Sequence, residues 1–266
     1  MAFFSDKKAA KKAFKLFCTP YINNKIIAKP TFFYEAEQVA IEMYGKEMVG
    51  WKWKSKKENA KTVLILHGFN SCSFKFEAYI KELVKEEFTV LAFDAIAHGQ
   101  SEGKQITVLQ YKTMICCINE KFGNIYAMIA HSFGGLAATL AMEELINVEK
   151  LVLIAPAAET STAINNFFKQ LQLTEKIRTD FNKVVINFAN KPIDYFSIGR
   201  ALGKVEANVL WIQDTEDLIC PYADAQKVQQ LQLPKLNFIV TTGLGHNRIY
   251  KEKSTVHAAI NFLSLS

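Results

Sequence analysis

One serine of the chain stands in a pattern that is typical of a reactive serine. Segment 129–135, IAHSFGG, follows an apolar run and precedes a helical pattern. A sharp strand-to-helix turn there would expose Ser132, and it needs small residues two positions before and after, where Ala130 and Gly134 stand. Because a serine that merely caps a helix after a strand gives the same pattern, the surrounding segments must decide.

A serine nucleophile needs a base, and the five histidines differ in their positions. His131 neighbours the serine and should diverge from it around the turn. His67 and His98 come early in the chain, and His257 falls inside the last predicted helix. His246 follows the last apolar run in a glycine-containing loop, which is where hydrolases with such a turn place the base. The sequence therefore favours His246.

The acid that orients the histidine is expected between the serine and His246. Segment 213–221, QDTEDLICP, offers three carboxylates: Asp214, Glu216 and Asp217. The acid must reach back from beyond the strand tip, and Asp217 stands four residues before Pro221, where such loops carry it. Asp217 is the predicted acid, and Asp214, directly at the strand end, is the alternate.

Two backbone amides are candidates for an oxyanion hole. Acyl transfer needs one N–H donor after the nucleophile and one from the loop after an earlier strand. Phe133 follows the serine, and Phe69 follows His67-Gly68 at the end of an apolar run. The alternative for His67-Gly68 is a plain turn.

The predicted elements alternate between apolar strands and helical patterns, which is typical of a parallel sheet covered on both faces. A hairpin is predicted at 38–44 and 48–54, then strands at 62–66, 88–93, 125–129, 151–154, 208–212 and 236–240. Helices are predicted at 74–87, 108–121, 136–146, 223–231 and 251–263. Residues 158–205 interrupt this alternation with aromatic, amphipathic segments. We interpret them as a helical lid inserted into a single domain spanning 1–266.

Taken together, these segments resemble the α/β-hydrolase superfamily, in its small-lid esterase and lysophospholipase-like branch. The resemblance covers about residues 62–250, including LHGF at 66–69, FDA at 93–95, AHGQS at 97–101 and GLGHNRI at 243–249. It implies an α/β-hydrolase fold, a triad of Ser132, Asp217 and His246, and an oxyanion hole at Phe69 and Phe133. It also implies structural roles for Asp94 and His98. Ala97 and Ala130 stand where the superfamily often has glycine.

Composition excludes several other classes. The net charge of +6 rests mostly on lysine, with only three arginines, which disfavours nucleic-acid binding. Five cysteines without CxxC spacing favour a reduced, cytoplasmic setting and no metal site. No uncharged run is long enough to cross a membrane. Glycines 243 and 245 lack the third glycine of a dinucleotide fingerprint, so we expect no cofactor.

The N-terminal segment is basic and amphipathic. Five lysines at positions 7, 8, 11, 12 and 15 alternate with Phe3, Phe4, Phe14 and Phe17. Such a helix either contacts a membrane surface weakly or packs its phenylalanines on the domain, and the second alternative is favoured.

These patterns predict a carboxylic ester hydrolase that acts on a small-molecule ester through an acyl-enzyme on Ser132. Short to medium acyl chains are expected, because a short lid shields only a limited length. A thioesterase, an amidase or peptidase, an acyltransferase and a catalytically silent binding protein of the same fold remain alternatives.

Overall fold

The computed structural model describes residues 2–21 and 27–265, with side chains from residue 6 onward. Its single sheet has the order β1-β2-β4-β3-β5-β6-β7-β8. β2 runs antiparallel to both neighbours, and the remaining neighbours pair in parallel. The strands are β1 (Glu37–Met43), β2 (Lys46–Trp53), β3 (Thr62–Leu66), β4 (Thr89–Phe93), β5 (Ile125–His131), β6 (Lys150–Ile154), β7 (Asn208–Asp214) and β8 (Leu236–Thr241).

Helices cover both faces of this sheet. In chain order, the helices on these faces and beyond the carboxyl ends of the strands are α1 (Ala2–Phe17), α2 (Glu77–Lys85), α3 (Val108–Phe122), α4 (Phe133–Ala141), α5 (Thr160–Gln170), α6 (Glu175–Ala189), α7 (Ile198–Leu202), α8 (Tyr222–Gln229), α9 (Gly245–Arg248) and α10 (Lys253–Ser264). The predicted fold class, a mostly parallel sheet with helices on both faces, is confirmed.

The two-residue period of the strands divides the core into two layers. Leu64 and Leu66 of β3 pack with α3 and α4, whereas Val63 and Ile65 pack with α2 and α10 on the opposite face. Since both faces are covered, the central strands consist almost entirely of apolar residues. This arrangement leaves the carboxyl ends of the parallel strands at one common edge of the sheet, where their loops meet.

A third apolar cluster lies outside these two layers. Helices α5 and α6, which follow β6 in the chain, pack against α1 through side chains of all three helices. We call α1 together with α5 to α7 the cap. Phe14 and Phe17 of α1 belong to this cluster, while the side chains of Phe3 and Phe4 lie outside the described part of the chain.

Two local differences from the sequence predictions concern the edge of the sheet. The helix after β5 begins at Phe133, three residues before the predicted start, because it continues directly from the turn at Ser132. His246, predicted in a loop, lies in the short helix α9. In the described residues, no helix combines the length and apolarity needed to cross a bilayer.

Candidate active site

Ser132 occupies the sharp turn between β5 and α4. Its backbone has φ 54° and ψ −121°, in the left-handed half of conformational space that costs a non-glycine residue energy. The surrounding chain holds this conformation: the Ser132 N–H donates to the carbonyl of Ile154, and its own carbonyl accepts from Gly135 and Ala157. The side chain therefore projects from the edge of the sheet in a fixed direction.

Close backbone packing explains the small residues around this turn. A Cβ atom on Gly134 would lie 2.6 Å from the carbonyl oxygen of His67, and one on Gly68 would lie 2.9 Å from the Cβ of Ser132. Real Cβ atoms do not approach so closely, so both positions require glycine. At the other small position, Ala130 is fully buried in the core, where its methyl group is accommodated.

The structure brings the predicted serine, histidine and aspartate into one chain of hydrogen bonds. The Oγ of Ser132 lies 3.0 Å from Nε2 of His246, and Nδ1 of the same ring lies 2.7 Å from Oδ2 of Asp217. All three residues are less than a tenth exposed. This arrangement matches a nucleophile, a base and an orienting acid, with the Nδ1–H tautomer set by the carboxylate.

Asp217 is held in place by further donors. Its Oδ1 accepts from the backbone N–H groups of Ile219 and Cys220, both at 2.8 Å. Its Oδ2 also accepts from the side-chain amide of Gln213 at 3.3 Å. Gln213 is a site residue that the sequence does not point out. Its side-chain oxygen accepts from the indole N–H of Trp211, and its amide N–H also donates to the carbonyl of Cys220. A buried amide near a strand end needs such partners.

Asp214, the alternate acid, has a different task. It accepts hydrogen bonds from the backbone of Glu216, Leu244 and Gly245 and from the hydroxyl of Thr241. Burial would raise the pKa of this carboxyl, but the hydrogen bonds outweigh it and lower the pKa below its usual value. Asp214 therefore ties the β7 loop to the backbone that precedes His246, without contacting its ring.

The two predicted oxyanion donors come from the residue after Ser132 and from the loop after β3. Among the described residues, neither the Phe69 nor the Phe133 N–H donates to another protein group. The rings of Phe69 and Phe133 contact each other edge to face, with centroids 5.6 Å apart. The hydroxyl of Tyr111, on α3, donates to the carbonyl of His67 at 3.1 Å and so fixes the loop that follows β3.

Two buried histidines brace the loops beside the site as neutral rings. Nε2 of His67 accepts from the backbone of Ala95, and Nε2 of His98 accepts from the backbone of Asn70. Burial lowers the pKa of His67 to about 4 and that of His98 to about 3. A protonated ring could also no longer accept these hydrogen bonds, so the neutral form is the structural one.

Asp94 fixes the start of the loop that contains His98. It accepts from the backbone and hydroxyl of Ser73 and from the backbone of Gln100. Burial raises the pKa of Asp94, while these hydrogen bonds oppose the shift. A Cβ on Gly99 would overlap the carboxylate, and Ala97 adopts a left-handed φ of 65°, which explains why glycine suits its position.

His131 is a further residue that the sequence reasoning set aside. Its Nε2 lies 3.3 Å from the backbone carbonyl of His246. Its ring also contacts the rings of His246 and Tyr250, at centroid distances of 4.8 and 4.5 Å. Burial lowers the pKa of His131 well below its usual value. His131 thus supports the backbone of His246.

A pocket of about 310 Å³ opens at Ser132 and extends beneath the cap. Most of its lining is apolar, and the two charged side chains in the lining, Glu159 and Asp224, are both acidic. Phe167 and Phe188 of the cap line the pocket, whereas Phe168 and Phe181 pack inside the cap cluster.

The sequence is similar to known lipases over part of its length. It is 25% identical to human monoglyceride lipase over 177 residues, covering 63% of this chain and 55% of that protein. It is 29% identical to the sn-1-specific diacylglycerol lipase ABHD11 of Danio rerio over 128 residues, covering 46% of this chain and 40% of that protein. The chain thus spans about half the length of these relatives.

Solved structures share the fold at low sequence identity. An esterase from Pyrococcus furiosus matches with a TM-score of 0.66 and 22% identity, covering 86% of this chain and 92% of that one. Est1E from Butyrivibrio proteoclasticus, solved with ferulic acid, also has a TM-score of 0.66, at 19% identity, covering 85% of this chain and 96% of that one.

A family model matches the part of the sequence that contains the turn at Ser132. The sequence model of the family Hydrolase_4, described as serine aminopeptidase S33, matches residues 57–197, more than half of the chain. That stretch runs from the loop before β3 to the start of the cap's last helix. Together with the strand order and the turn at Ser132, this match establishes that the chain is a member of the serine aminopeptidase S33 family of α/β-hydrolases.

Proposed function

We propose that the protein is a serine hydrolase that cleaves carboxylic esters with apolar, short to medium acyl chains. The observation that carries this proposal is the unbroken hydrogen-bond chain from Ser132 through His246 to Asp217 at the mouth of an apolar pocket. The lipase and esterase names among the relatives agree with it.

In the proposed reaction, Ser132 attacks the ester carbonyl while Nε2 of His246 takes the hydroxyl proton. The carbonyl oxygen becomes an oxyanion that the N–H groups of Phe69 and Phe133 stabilise, since both are free to donate. His246 then donates its proton to the departing alcohol, which leaves an acyl group on Ser132. Water, deprotonated by the same ring, attacks the acyl carbonyl, the bond to the Ser132 oxygen breaks, and His246 returns the proton to that oxygen as the acid leaves.

The pocket supports the proposed acyl specificity. A volume of about 310 Å³ lies at the small end of the range for ligand sites. Its apolar lining favours hydrocarbon chains, and each buried methylene contributes about 0.8 kcal/mol. Burial raises the pKa of Glu159, which accepts from the Ser197 hydroxyl, and Asp224 carries a second acidic group. No lysine or arginine stands among the described lining residues, so an anionic acyl chain would find no basic partner in this pocket.

The proposal is tested by labelling with an alkyl fluorophosphonate and by assays on p-nitrophenyl esters from acetate to palmitate. We expect wild-type protein to be labelled at Ser132 and to be most efficient on short to medium chains. Ser132→Ala should fold normally, because alanine can adopt the same backbone angles, and lose at least roughly ten-thousandfold in kcat/KM. A folded protein that is neither labelled nor active on any ester would be a binding protein, contrary to the proposal.

A further inference from the structure

The N-terminal helix reaches the candidate active site from outside the stretch that defines the family. The family match begins at residue 57, yet four residues at the end of α1 and just after it line the same pocket as Ser132. These residues are Phe14, Phe17, Cys18 and Tyr21. One wall of the pocket thus comes from a segment at least 35 residues away in sequence from that match.

Aromatic contacts fasten this wall to the helices above the pocket. Phe14 contacts Phe181 and Phe188, with ring centroids 6.0 and 5.5 Å apart. Phe17 contacts Phe167 and Phe181, at 5.2 and 5.8 Å. Such ring pairs stabilise a structure by more than the apolar area they bury. Helices α1, α5 and α6 therefore form one packed unit.

Hydrogen bonds attach the end of α1 to the loops of the site. The carbonyl of Cys18 accepts from the backbone of Ile106 at 2.9 Å, and the side chain of Gln105 donates to the carbonyl of Lys15 at 2.6 Å. The N–H of Tyr21 donates to the side chain of Asn70 at 2.7 Å. Because Asn70 directly follows Phe69, the segment after α1 is joined to the loop of a candidate oxyanion donor.

We propose that α1 and the segment directly after it are part of the substrate pocket, and that Phe14, Phe17 and Tyr21 limit the length of the acyl chain that it accepts. This inference rests on the proposed function. A helix that only stabilised the lid would keep its aromatic side chains inside the cluster, as Phe181 does without lining the pocket. Phe14 and Phe17 instead contact the cluster on one side and the pocket on the other.

The test compares kcat/KM on p-nitrophenyl decanoate and p-nitrophenyl butyrate for wild type, Phe14→Ala and Phe17→Ala. We expect the decanoate-to-butyrate ratio to rise at least tenfold in both variants, because each methylene that gains a buried site contributes roughly fourfold. Leu16→Ala is the matched control, since Leu16 lies on the same helix, is 39% exposed and does not line the pocket. Its ratio should stay at the wild-type value.

A second pair of variants separates a pocket wall from a purely structural helix. Phe168→Ala loosens the same cluster from a position outside the pocket and should leave the ratio unchanged. Tyr21→Ala removes a pocket-lining ring that is 56% exposed, so it should raise the ratio with little loss of stability. It decides the question if the two phenylalanine variants fail to fold.

The outcomes separate this inference from the proposed function. An active wild type whose ratio is unchanged in every folded variant at positions 14, 17 and 21 overturns the role of α1 and leaves the ester hydrolase standing. An equal rise of the ratio in Phe168→Ala also overturns it, because loosening of the cap would then suffice. A folded wild type without label or ester activity defeats the proposed function, and the inference with it.

Discussion

The loops at the edge of the sheet and the cap above them are held together by different forces. In the loops, buried polar groups are tied to backbone atoms: Asp94, Asp214 and Asp217 each accept at least three hydrogen bonds. The cap is held mainly by apolar contact, with Phe181 at its centre touching four other phenylalanine rings. Directional bonds fix positions closely, whereas apolar contacts tolerate repacking. Reaction geometry should therefore depend on the loops, and substrate range on the cap.

The largest expected effect separates the two aspartates of the β7 loop. Asp217→Asn should lower kcat about ten-thousandfold with little loss of stability, because the amide cannot stabilise the imidazolium and favours the wrong tautomer. Asp214→Asn should cost far less in kcat and more in stability, since an amide replaces a carboxylate that accepts four hydrogen bonds. Steady-state kinetics and urea unfolding measure both. A reversed ranking of kcat would assign the orienting role to Asp214.

A second prediction concerns the independence of the two regions. Phe181→Ala removes a fully buried ring from the cap and should lower the free energy of unfolding of the cap by about 3 kcal/mol or more. Hydrogen exchange should speed up in α1, α5 and α6 and stay slow in β5 and β7. Labelling of Ser132 by a short-chain fluorophosphonate should stay within a few fold of wild type. A parallel loss of labelling would mean that the cap also sets the reaction geometry.

The smallest expected effect is a dependence of stability on pH that comes from buried histidines at the edge of the sheet and not from the cap. His67 and His98 have folded-state pKa values of about 4 and about 3, below the value of about 6.5 for an unfolded histidine. The unfolded chain therefore binds protons that the folded chain does not, and stability falls as the pH drops below about 6.5. By pH 5, about 1.5 pH units below the unfolded pKa, each ring should cost roughly 2 kcal/mol.

This prediction is measured by urea unfolding at pH 7 and pH 5 with wild type and His98→Gln. Glutamine keeps a donor and an acceptor but does not titrate, so the loss between the two pH values should be smaller in the variant. The cap has no histidine, and exchange in α5 and α6 should respond least to acid. An equal loss in wild type and variant would contradict the assignment to His98.

Much of the sheet was predictable because parallel strands buried on both faces must be apolar throughout. β3, β4 and β6 are apolar after their first residue, and the predicted strand ends agree with the structure to within two residues. Ser132, Asp217 and His246 could be selected because each follows a strand, and the carboxyl ends of parallel strands meet at one edge. Their catalytic roles, and those of Phe69 and Phe133, remain predictions, as does the cytoplasmic location.

The partners within the cap could not be read from the sequence. Amphipathic patterns predicted an N-terminal helix and a helical segment at 158–205, but such a pattern states only that one face is apolar and not what covers it. Phe167 and Phe181 have the same residue type and lie on neighbouring helices, yet one lines the pocket and the other does not. That choice depends on the angles at which the three helices pack.

The sequence alone determined the alternation of strands and helices, because hydrophobic periodicity is a local property. It also determined the order of serine, aspartate and histidine, which is read directly along the chain. Only the tertiary structure decided which carboxylate contacts His246, because Asp214 and Asp217 stand three residues apart in one loop and differ in which donors surround them. It also decided that the N-terminal helix contributes a wall of the pocket. Contacts across so long a stretch of chain arise from packing of apolar faces in three dimensions, and no local pattern encodes them.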